Sequence, residues 1–266
     1  MYKPGGTIKT LLADLESHTY VLPAIQREFV WSSEQICRLF DSLMQGYPFG
    51  TMLFWKISPE NSDKFKFFDF VRTYHERDNP HCPALPIQYN KPLVAVLDGQ
   101  QRMTALNIGL RGNYAEKVKW KWWSSPDAFP TKRLYLNLLS EADLETGDRY
   151  EFKFLEEGLP DLELAGLWFP VGEILGFTGG PDMQDWIEQF EMQKEQRKVA
   201  YRTLDMLYRV IHTEQLISYY EEKDQDIERV LSIFIRINSG GTKLSYSDLL
   251  LSVAVAQWQT LDARDR

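Results

Sequence analysis

Apolar side chains recur every three to four residues in two segments near the start of the chain. Over residues 7–18 this stripe consists of Ile8, Leu11, Leu12 and Leu15. In the next segment it consists of Ile36, Leu39, Phe40, Leu43 and Met44. Ser32 and Gln35, three residues apart, have the spacing of a capping box. Both stripes predict amphipathic helices, and the second is predicted to begin at Ser32.

Short, mostly apolar runs predict β-strands. These runs are residues 51–57, 93–97, 133–139, 150–156 and 216–222. The pattern becomes helical and highly charged over residues 184–212, and further helices are predicted from Asp226 and Leu244. We therefore predict an α+β fold, with a mixed α/β domain over residues 1–182 and a mainly helical region over residues 183–266.

The segment LVAVLDGQQRMTAL, residues 93–106, is the most informative stretch of the chain. An apolar strand ends at Asp98-Gly99, a polar loop of residues 100–102 follows, and helical spacing then begins. A strand that turns through glycine into a helix leaves backbone N–H groups pointing outward at the positive end of the helix dipole. Arg102 adds a planar fork of donors that suits phosphate or carboxylate. The pattern predicts an anion site, most simply for a phosphate group.

The other polar side chains of this turn allow more specific roles. Glutamine both donates and accepts hydrogen bonds, so Gln100 and Gln101 could recognise a base, a ribose or a water. Asp98 could hold Mg²⁺ or orient a water. The alternative is structural: Asp98 is then the N-cap of the helix, and the polar residues after it are simply solvated.

Two more polar clusters lie where a predicted element meets a loop. The first is Gln26-Arg27, for which the alternative is an ordinary ion pair of Arg27 with Glu28 or Asp41. The second, NSGGTK over residues 238–243, lacks the G-x-x-x-x-G-K-[ST] spacing of a phosphate loop, and its spacing favours a joint between two helices. No G-x-G-x-x-G follows a strand, so a Rossmann site is not supported.

The segment KVKWKWW, residues 117–123, alternates cations with aromatic residues. Such alternation is found in platforms that bind single-stranded nucleic acid, and the candidate residues here are Lys117, Lys119, Trp122 and Trp123. A strand with one exposed and one buried face gives the same alternation. We favour the strand.

Composition excludes several classes of protein. The chain has 266 residues, 44% of them apolar, which is enough for a full core. No apolar run approaches the length of a membrane span, and acidic residues near the start argue against a signal peptide. A net charge of −8 argues against indiscriminate nucleic-acid binding. With two cysteines, Cys37 and Cys82, we expect no disulfide and a reducing cytoplasm.

Histidine and cysteine offer little basis for catalysis or metal binding. The chain has four histidines, which is few for Ser-His or Cys-His chemistry. His75, His81 and Cys82 match no common zinc spacing.

Three segments, in this order, resemble the N-terminal domain of GmrSD-type restriction proteins (domain of unknown function 262). They are LPAIQREFVW (22–31), LVAVLDGQQRMTAL (93–106) and FIRINSGGTKLSYSDLLLS (234–252). They carry a proline followed by Gln-Arg and an aromatic before Trp, the Asp-Gly-Gln-Gln-Arg signature, and Asn-x-x-Gly-x-x-Leu-Ser ahead of a helix.

The resemblance implies a ParB/sulfiredoxin-like core in which the Arg102 loop binds nucleotide phosphates. It also implies an association with nucleoside triphosphate binding or hydrolysis and with sensing of modified DNA. Relatives usually carry an HNH-type nuclease domain after this one, and the present chain has no such motif. We therefore expect a nuclease domain or subunit as a partner, and no DNA cleavage by this polypeptide alone.

Our leading hypothesis is a cytoplasmic, NTP-binding and NTP-hydrolysing regulatory module of a modification-dependent anti-phage restriction system. The candidate catalytic residues are Asp98, Gln100, Gln101 and Arg102. The candidate nucleotide-binding residues are Gln26, Arg27, Gly99, Arg102, Thr104, Asn238 and Thr242. In this hypothesis Asp98 positions Mg²⁺ or a water, the glutamines orient the nucleophile or the nucleotide, and Arg27 adds positive charge.

Two other hypotheses stay open. One is a non-catalytic module of the same fold that recognises DNA. The other is a structural partner domain, whose polar clusters only cap helices.

Overall fold

The computed structural model describes residues 2–23, 28–85, 93–140, 147–158 and 166–238. The α-helices in these ranges are α1 (Ile8–Glu16), α2 (Ser33–Met44), α3 (Gln100–Arg111), α4 (Gly180–Glu188), α5 (Lys194–His212) and α6 (Ile227–Asn238). None of the described helices combines the length and apolar character that crossing a bilayer requires. The helix predicted from Leu244 lies outside the described residues.

The first two helices begin where the sequence predicts. The hydroxyl of Thr7 accepts a hydrogen bond from the N–H of Thr10 and caps α1. Ser32 and Gln35 form the predicted capping box at the start of α2. Both predictions are confirmed because the deciding signals, a cap and an apolar stripe, are local.

The strands are short, and most of them belong to one sheet. They are β1 (Tyr2–Pro4), β2 (Tyr20–Pro23), β3 (Thr51–Ile57), β4 (Phe67–Phe68), β5 (Thr73–His75), β6 (Ala84–Leu85), β7 (Leu93–Asp98), β8 (Asn113–Ala115), β9 (Arg133–Asn137), β10 (Phe152–Leu155), β11 (Trp168–Pro170) and β12 (Ser218–Glu222). In the described part of the chain, seven strands form a mixed sheet in the order β1-β12-β3-β7-β2-β4-β6. The antiparallel strands β10-β9-β11 form a second sheet, and β5 pairs with β8 in parallel.

Helices cover both faces of the large sheet. Side chains of β7 alternate, so that Leu93, Ala95 and Leu97 lie in the cluster that contains Val230 and Phe234 of α6. Val96, on the opposite face, belongs to the main core with α1, α2, α3 and α5. A central strand buried on both faces explains why β7 reads as a continuous apolar run. The predicted α+β class is confirmed.

The predicted division at residue 182 stays a prediction. Strand β12, which lies within the predicted helical region, pairs in parallel with β3 of the first region. Main-chain hydrogen bonds therefore join the two predicted parts within one sheet.

Helix α3 is buried along most of its length. Residues 103–110 are all buried, and the helix contacts α1, α2, β8, β9 and the 3₁₀ turn Val171–Gly176. A helix surrounded in this way presents no amphipathic stripe, and its position is fixed from all sides.

Residues 117–123 form an irregular loop, so the strand that we favoured is wrong. The loop follows β8 and has turns at Lys119 and Trp120 instead of a strand partner. Trp120 has a φ of 70°, which no regular strand contains. The alternation of lysine and tryptophan therefore reflects no buried face.

Candidate functional site

The Asp98 turn joins β7 directly to α3. Gly99 reverses the chain with φ 98° and ψ 0° and is the N-cap of α3. A Cβ at this position would also lie 2.8 Å from Cγ of Met52, so glycine is required both by the backbone conformation and by the space. The first bond of the helix runs from the N–H of Met103 to the carbonyl of Gly99 at 3.0 Å.

This geometry refines two of the predictions. Residues 100–102 form the first turn of the helix rather than a loop before it. Gly99 is the N-cap, so the alternative interpretation of Asp98 as the N-cap is wrong. The N–H groups of residues 100–102 have no acceptor within the helix and lie at its positive end.

Arg102 binds three oxygen atoms around the turn. Its Nη1 donates to the carbonyl of Phe49 at 2.6 Å, and its Nη2 donates to the carbonyl of Thr51 at 3.3 Å and to Oδ2 of Asp98 at 3.2 Å. A guanidinium has five N–H donors, so Nε and one hydrogen of Nη1 remain. The Arg102 side chain is 21% exposed, which leaves it in contact with solvent.

Gly50 makes room for this arginine. It has a φ of 85°, and a Cβ there would overlap with Nη1 of Arg102. Sequence reasoning missed the turn at residues 49–51. A glycine directly before the strand at residue 51 was the available signal, but nothing local connects it with Arg102, 52 residues later.

Gln101 fastens another segment to the turn. Its Nε2 donates to the carbonyl of Glu28 at 2.8 Å, and its Oε1 accepts from the N–H of Val30 at 3.1 Å. The amide thus uses one donor and one acceptor on the chain that directly follows Gln26-Arg27. This is a positioning role, and it replaces base or water recognition as the simplest explanation of Gln101.

Gln100 differs from Gln101. Its Oε1 is buried and has no hydrogen-bond partner among the described residues. A buried amide oxygen without a partner is costly, and such groups usually meet a water or a ligand. Gln100 therefore has an unused acceptor, in addition to the two remaining donors of Arg102.

The remaining predicted residues lie at different places. Thr104 is 2% exposed, within the buried part of α3. Asn238 ends α6, and its side chain is not described. Gln26, Arg27 and Thr242 lie outside the described residues.

The two acids considered as partners of Arg27 have other contacts. Oε1 of Glu28 lies 2.6 Å from Nδ1 of His81. Oδ1 of Asp41 accepts from the N–H groups of Arg149 and Tyr150. Arg27 itself lies outside the described residues, so its ion pair with either acid stays a prediction.

No group of three or more His, Cys, Asp or Glu side chains in the described ranges could hold a metal on its own. Asp98 brings one carboxylate, of which Oδ2 already contacts Arg102. Mg²⁺ is often held by one or two carboxylates together with substrate phosphates and waters. Asp98 fits that kind of site, in which the phosphates of a nucleotide would supply the other ligands of Mg²⁺.

Neither cysteine forms a disulfide in the structure. Burial raises the pKa of the Cys37 thiol to about 12. A thiol with this pKa is protonated at neutral pH, which makes Cys37 unsuited to act as a nucleophile.

A separate cleft of about 710 Å³ lies beside α2 and β10, away from the Asp98 turn. Ser33, in its wall, donates to Oε1 of Glu116 at 2.8 Å. Glu116 in turn lies 3.9 Å from Nζ of Lys132. Ser33 is hydrogen-bonded to a carboxylate, and no histidine among the described residues lines the cleft to activate it. The cleft therefore offers no recognisable nucleophile.

Comparison with known proteins adds the family. Residues 8–254 match the model of the family described as GmrSD restriction endonuclease, N-terminal domain. The chain belongs to this family. Membership confirms the resemblance carried by the three motifs.

The chain is also similar to an uncharacterized protein of Methanocaldococcus jannaschii. The two are 30% identical over 255 residues, which cover 91% of this chain and 40% of the relative. The chain thus spans less than half the length of the curated relative that it matches.

Proposed function

We propose that this GmrSD N-terminal domain binds a nucleoside triphosphate at the Asp98 turn and, with Mg²⁺, hydrolyses it to regulate restriction. The observation that carries the proposal is the Gly99-capped start of α3, where Arg102 lies beside the free N–H groups of the first helical turn. Backbone donors, a helix dipole and a guanidinium together favour a bound phosphate.

Each residue of the turn has a distinct proposed role. The N–H groups of residues 100–102 and the two remaining N–H donors of Arg102 bind phosphate oxygens. Gln100, whose Oε1 lacks a partner among the described residues, contacts the nucleotide or the attacking water. Asp98 contributes Oδ1, the oxygen that Arg102 does not contact, to Mg²⁺, which would neutralise phosphate charge when bound.

The partners follow from the family. We propose that DNA, in modified form, is sensed by the protein to which this domain belongs, and that an HNH-type nuclease domain or subunit cleaves it. The described residues supply the support for the nucleotide site, whereas the nuclease partner rests on the family alone.

A thermal-shift screen with ATP, GTP, CTP and UTP, each with Mg²⁺, tests the proposal. A triphosphate present at a hundred times its dissociation constant should stabilise the protein by about 2.7 kcal/mol. Gln100→Ala should lose most of this shift and keep the melting temperature of the free protein. Gln184→Ala, on the exposed face of α4, is the matched control and should behave like the wild type.

The absence of a shift with all four nucleotides would contradict the proposal and favour a DNA-recognition module without nucleotide turnover. An equal thermal shift in wild type and in Gln100→Ala would show that Gln100 does not contribute to nucleotide binding. Release of phosphate from the stabilising nucleotide then decides whether binding leads to hydrolysis.

A further inference from the structure

The Trp loop, residues 117–123, exposes aromatic rings that the proposed nucleotide site does not use. Trp120 is 98% exposed and Trp122 is 84% exposed. They are the two most exposed large apolar side chains among the described residues. Because burial of a tryptophan is strongly favourable, two such rings in water suggest a surface that a partner covers.

Both ends of the loop are fixed to the body of the protein. At the first end, the N–H of Lys117 donates to Oε2 of Glu76 at 2.6 Å. At the second end, the carbonyl of Trp123 accepts from Nη1 of Arg77 at 3.1 Å. The ring of Trp123 also packs edge-on against Phe129, with 5.1 Å between the ring centroids. Trp123 is therefore an anchor.

The backbone between these anchors holds Trp120 in an unfavourable conformation. Its φ of 70° lies in the left-handed region, which costs a residue with a side chain about 1–2 kcal/mol. Neither burial nor a ring contact among the described residues compensates for this cost. Such strain is typical of positions that present a side chain to a partner.

The charge of the loop indicates the kind of partner. Residues 117–123 contain three lysines and no acid, in a chain of net charge −8. Lys121 pairs with Asp127 at 2.6 Å, whereas Lys117 and Lys119 have no acidic partner in the described ranges. Free cations beside exposed aromatic rings suit phosphates and bases together.

We propose that the Trp loop binds single-stranded nucleic acid, with Trp120 and Trp122 stacking on unpaired bases and with Lys117 and Lys119 facing phosphates. The inference rests on the proposed function only in taking DNA as the partner, and it does not use the nucleotide site. The proposed nucleotide site lies at the start of α3, whereas the Trp loop comes after the end of α3 and strand β8 in the chain.

Fluorescence anisotropy with a labelled oligothymidine tests the proposal, with a duplex of equal length as the second probe. The single strand should bind more tightly than the duplex, because its bases are free to stack. Trp120→Ala and Trp122→Ala should each weaken single-strand binding roughly 5- to 150-fold, the range for loss of one stacked base. Tyr47→Ala, which removes an aromatic side chain that is 54% exposed elsewhere, should leave it unchanged.

Salt dependence and folding controls complete the test. Lys117→Gln and Lys119→Gln should each reduce the slope of log K against log salt by about 0.7. Trp120→Gly removes the ring and relieves the positive φ, so it should be at least as stable as the wild type and still lose binding.

Single-strand binding that is absent, or that survives both Trp120→Gly and Trp122→Ala unchanged, would overturn the proposal. Self-association of the wild type that disappears in these variants, without single-strand binding, would also overturn it and assign the loop to a protein interface. The nucleotide-induced thermal shift should be the same in all loop variants. If no variant, including the wild type, shows this shift, the proposed nucleotide site is wrong. The oligonucleotide measurements still test the proposed role of the Trp loop.

Discussion

Replacing Gln101 by alanine should weaken the attachment of residues 28–30 to the start of α3. The substitution removes the bond from Nε2 to the carbonyl of Glu28 and the bond from the N–H of Val30 to Oε1. A typical hydrogen bond contributes about 0.5–1.5 kcal/mol net, so the loss of both should cost about 1–3 kcal/mol. Phe29, 5% exposed between the two bonded residues, remains packed and keeps the effect at this size.

The variant Gln101→Glu distinguishes the contributions of the two hydrogen bonds. The carboxylate can still accept from the N–H of Val30, but its second oxygen replaces a donor opposite the carbonyl of Glu28. Two acceptors in contact repel each other, so this variant should be less stable than Gln101→Ala at pH 7. Protonation restores a donor, so the stability of Gln101→Glu should rise relative to the wild type as the pH falls.

Thermal unfolding and amide exchange measure both effects. For a domain of roughly this size, each 1 kcal/mol lowers the melting temperature by about 2–4 °C. The amide of Val30 should lose protection in Gln101→Ala, while Gln184→Ala, the exposed control on α4, should change neither quantity. An unchanged melting temperature together with unchanged protection of Val30 would refute a positioning role for Gln101.

Three further outcomes follow from the structure. Arg102→Lys keeps the charge but has one donor nitrogen instead of the planar fork whose Nη1 and Nη2 reach oxygens on different segments, so it should lower both the melting temperature and nucleotide affinity; full retention of both would contradict the assigned contacts. Gly50→Ala should cost at least about 1–2 kcal/mol in unfolding experiments, because a side chain there is strained and overlaps with Arg102. Burial, and secondarily Lys9, lower the pKa of His212, whose Nε2 lies 2.8 Å from the carbonyl of Ile174. The unfolded chain therefore binds the proton more readily, and stability should fall as the pH drops below about 6.5, a loss that His212→Gln should reduce in denaturant titrations.

The parts of the fold that the sequence predicts correctly depend on local signals. The caps of α1 and α2 and the turn at Gly99 are decided within a few residues. Strand β7 is likewise predicted by its own apolar run, which reflects burial on both faces of the sheet. The long helix α5 is likewise predicted by its local periodicity and charge pattern.

The parts that it does not predict depend on contacts between distant segments. The Trp loop has the alternation of a strand, and its true shape is set by Glu76 and Arg77, about forty residues earlier. The contacts of Arg102 with residues 49–51 have no local signature either. Periodicity identifies faces, and it carries no information on which distant backbone groups a polar side chain will bind.

The structure also explains why the Asp-Gly-Gln-Gln-Arg signature needs five residues. Gly99 makes the turn, Gln101 holds residues 28–30, and Arg102 holds residues 49–51 while it pairs with Asp98. These contacts bring two distant segments to the start of α3. Among the described residues, these contacts leave without a partner the N–H groups of residues 100–102, two donors of Arg102, one oxygen of Asp98 and Oε1 of Gln100. In the proposed function these groups bind the nucleotide, so that the signature would combine assembly of the site with phosphate binding. The two roles can be separated, because substitutions at Gln101 should act on the first and substitutions at Gln100 on the second.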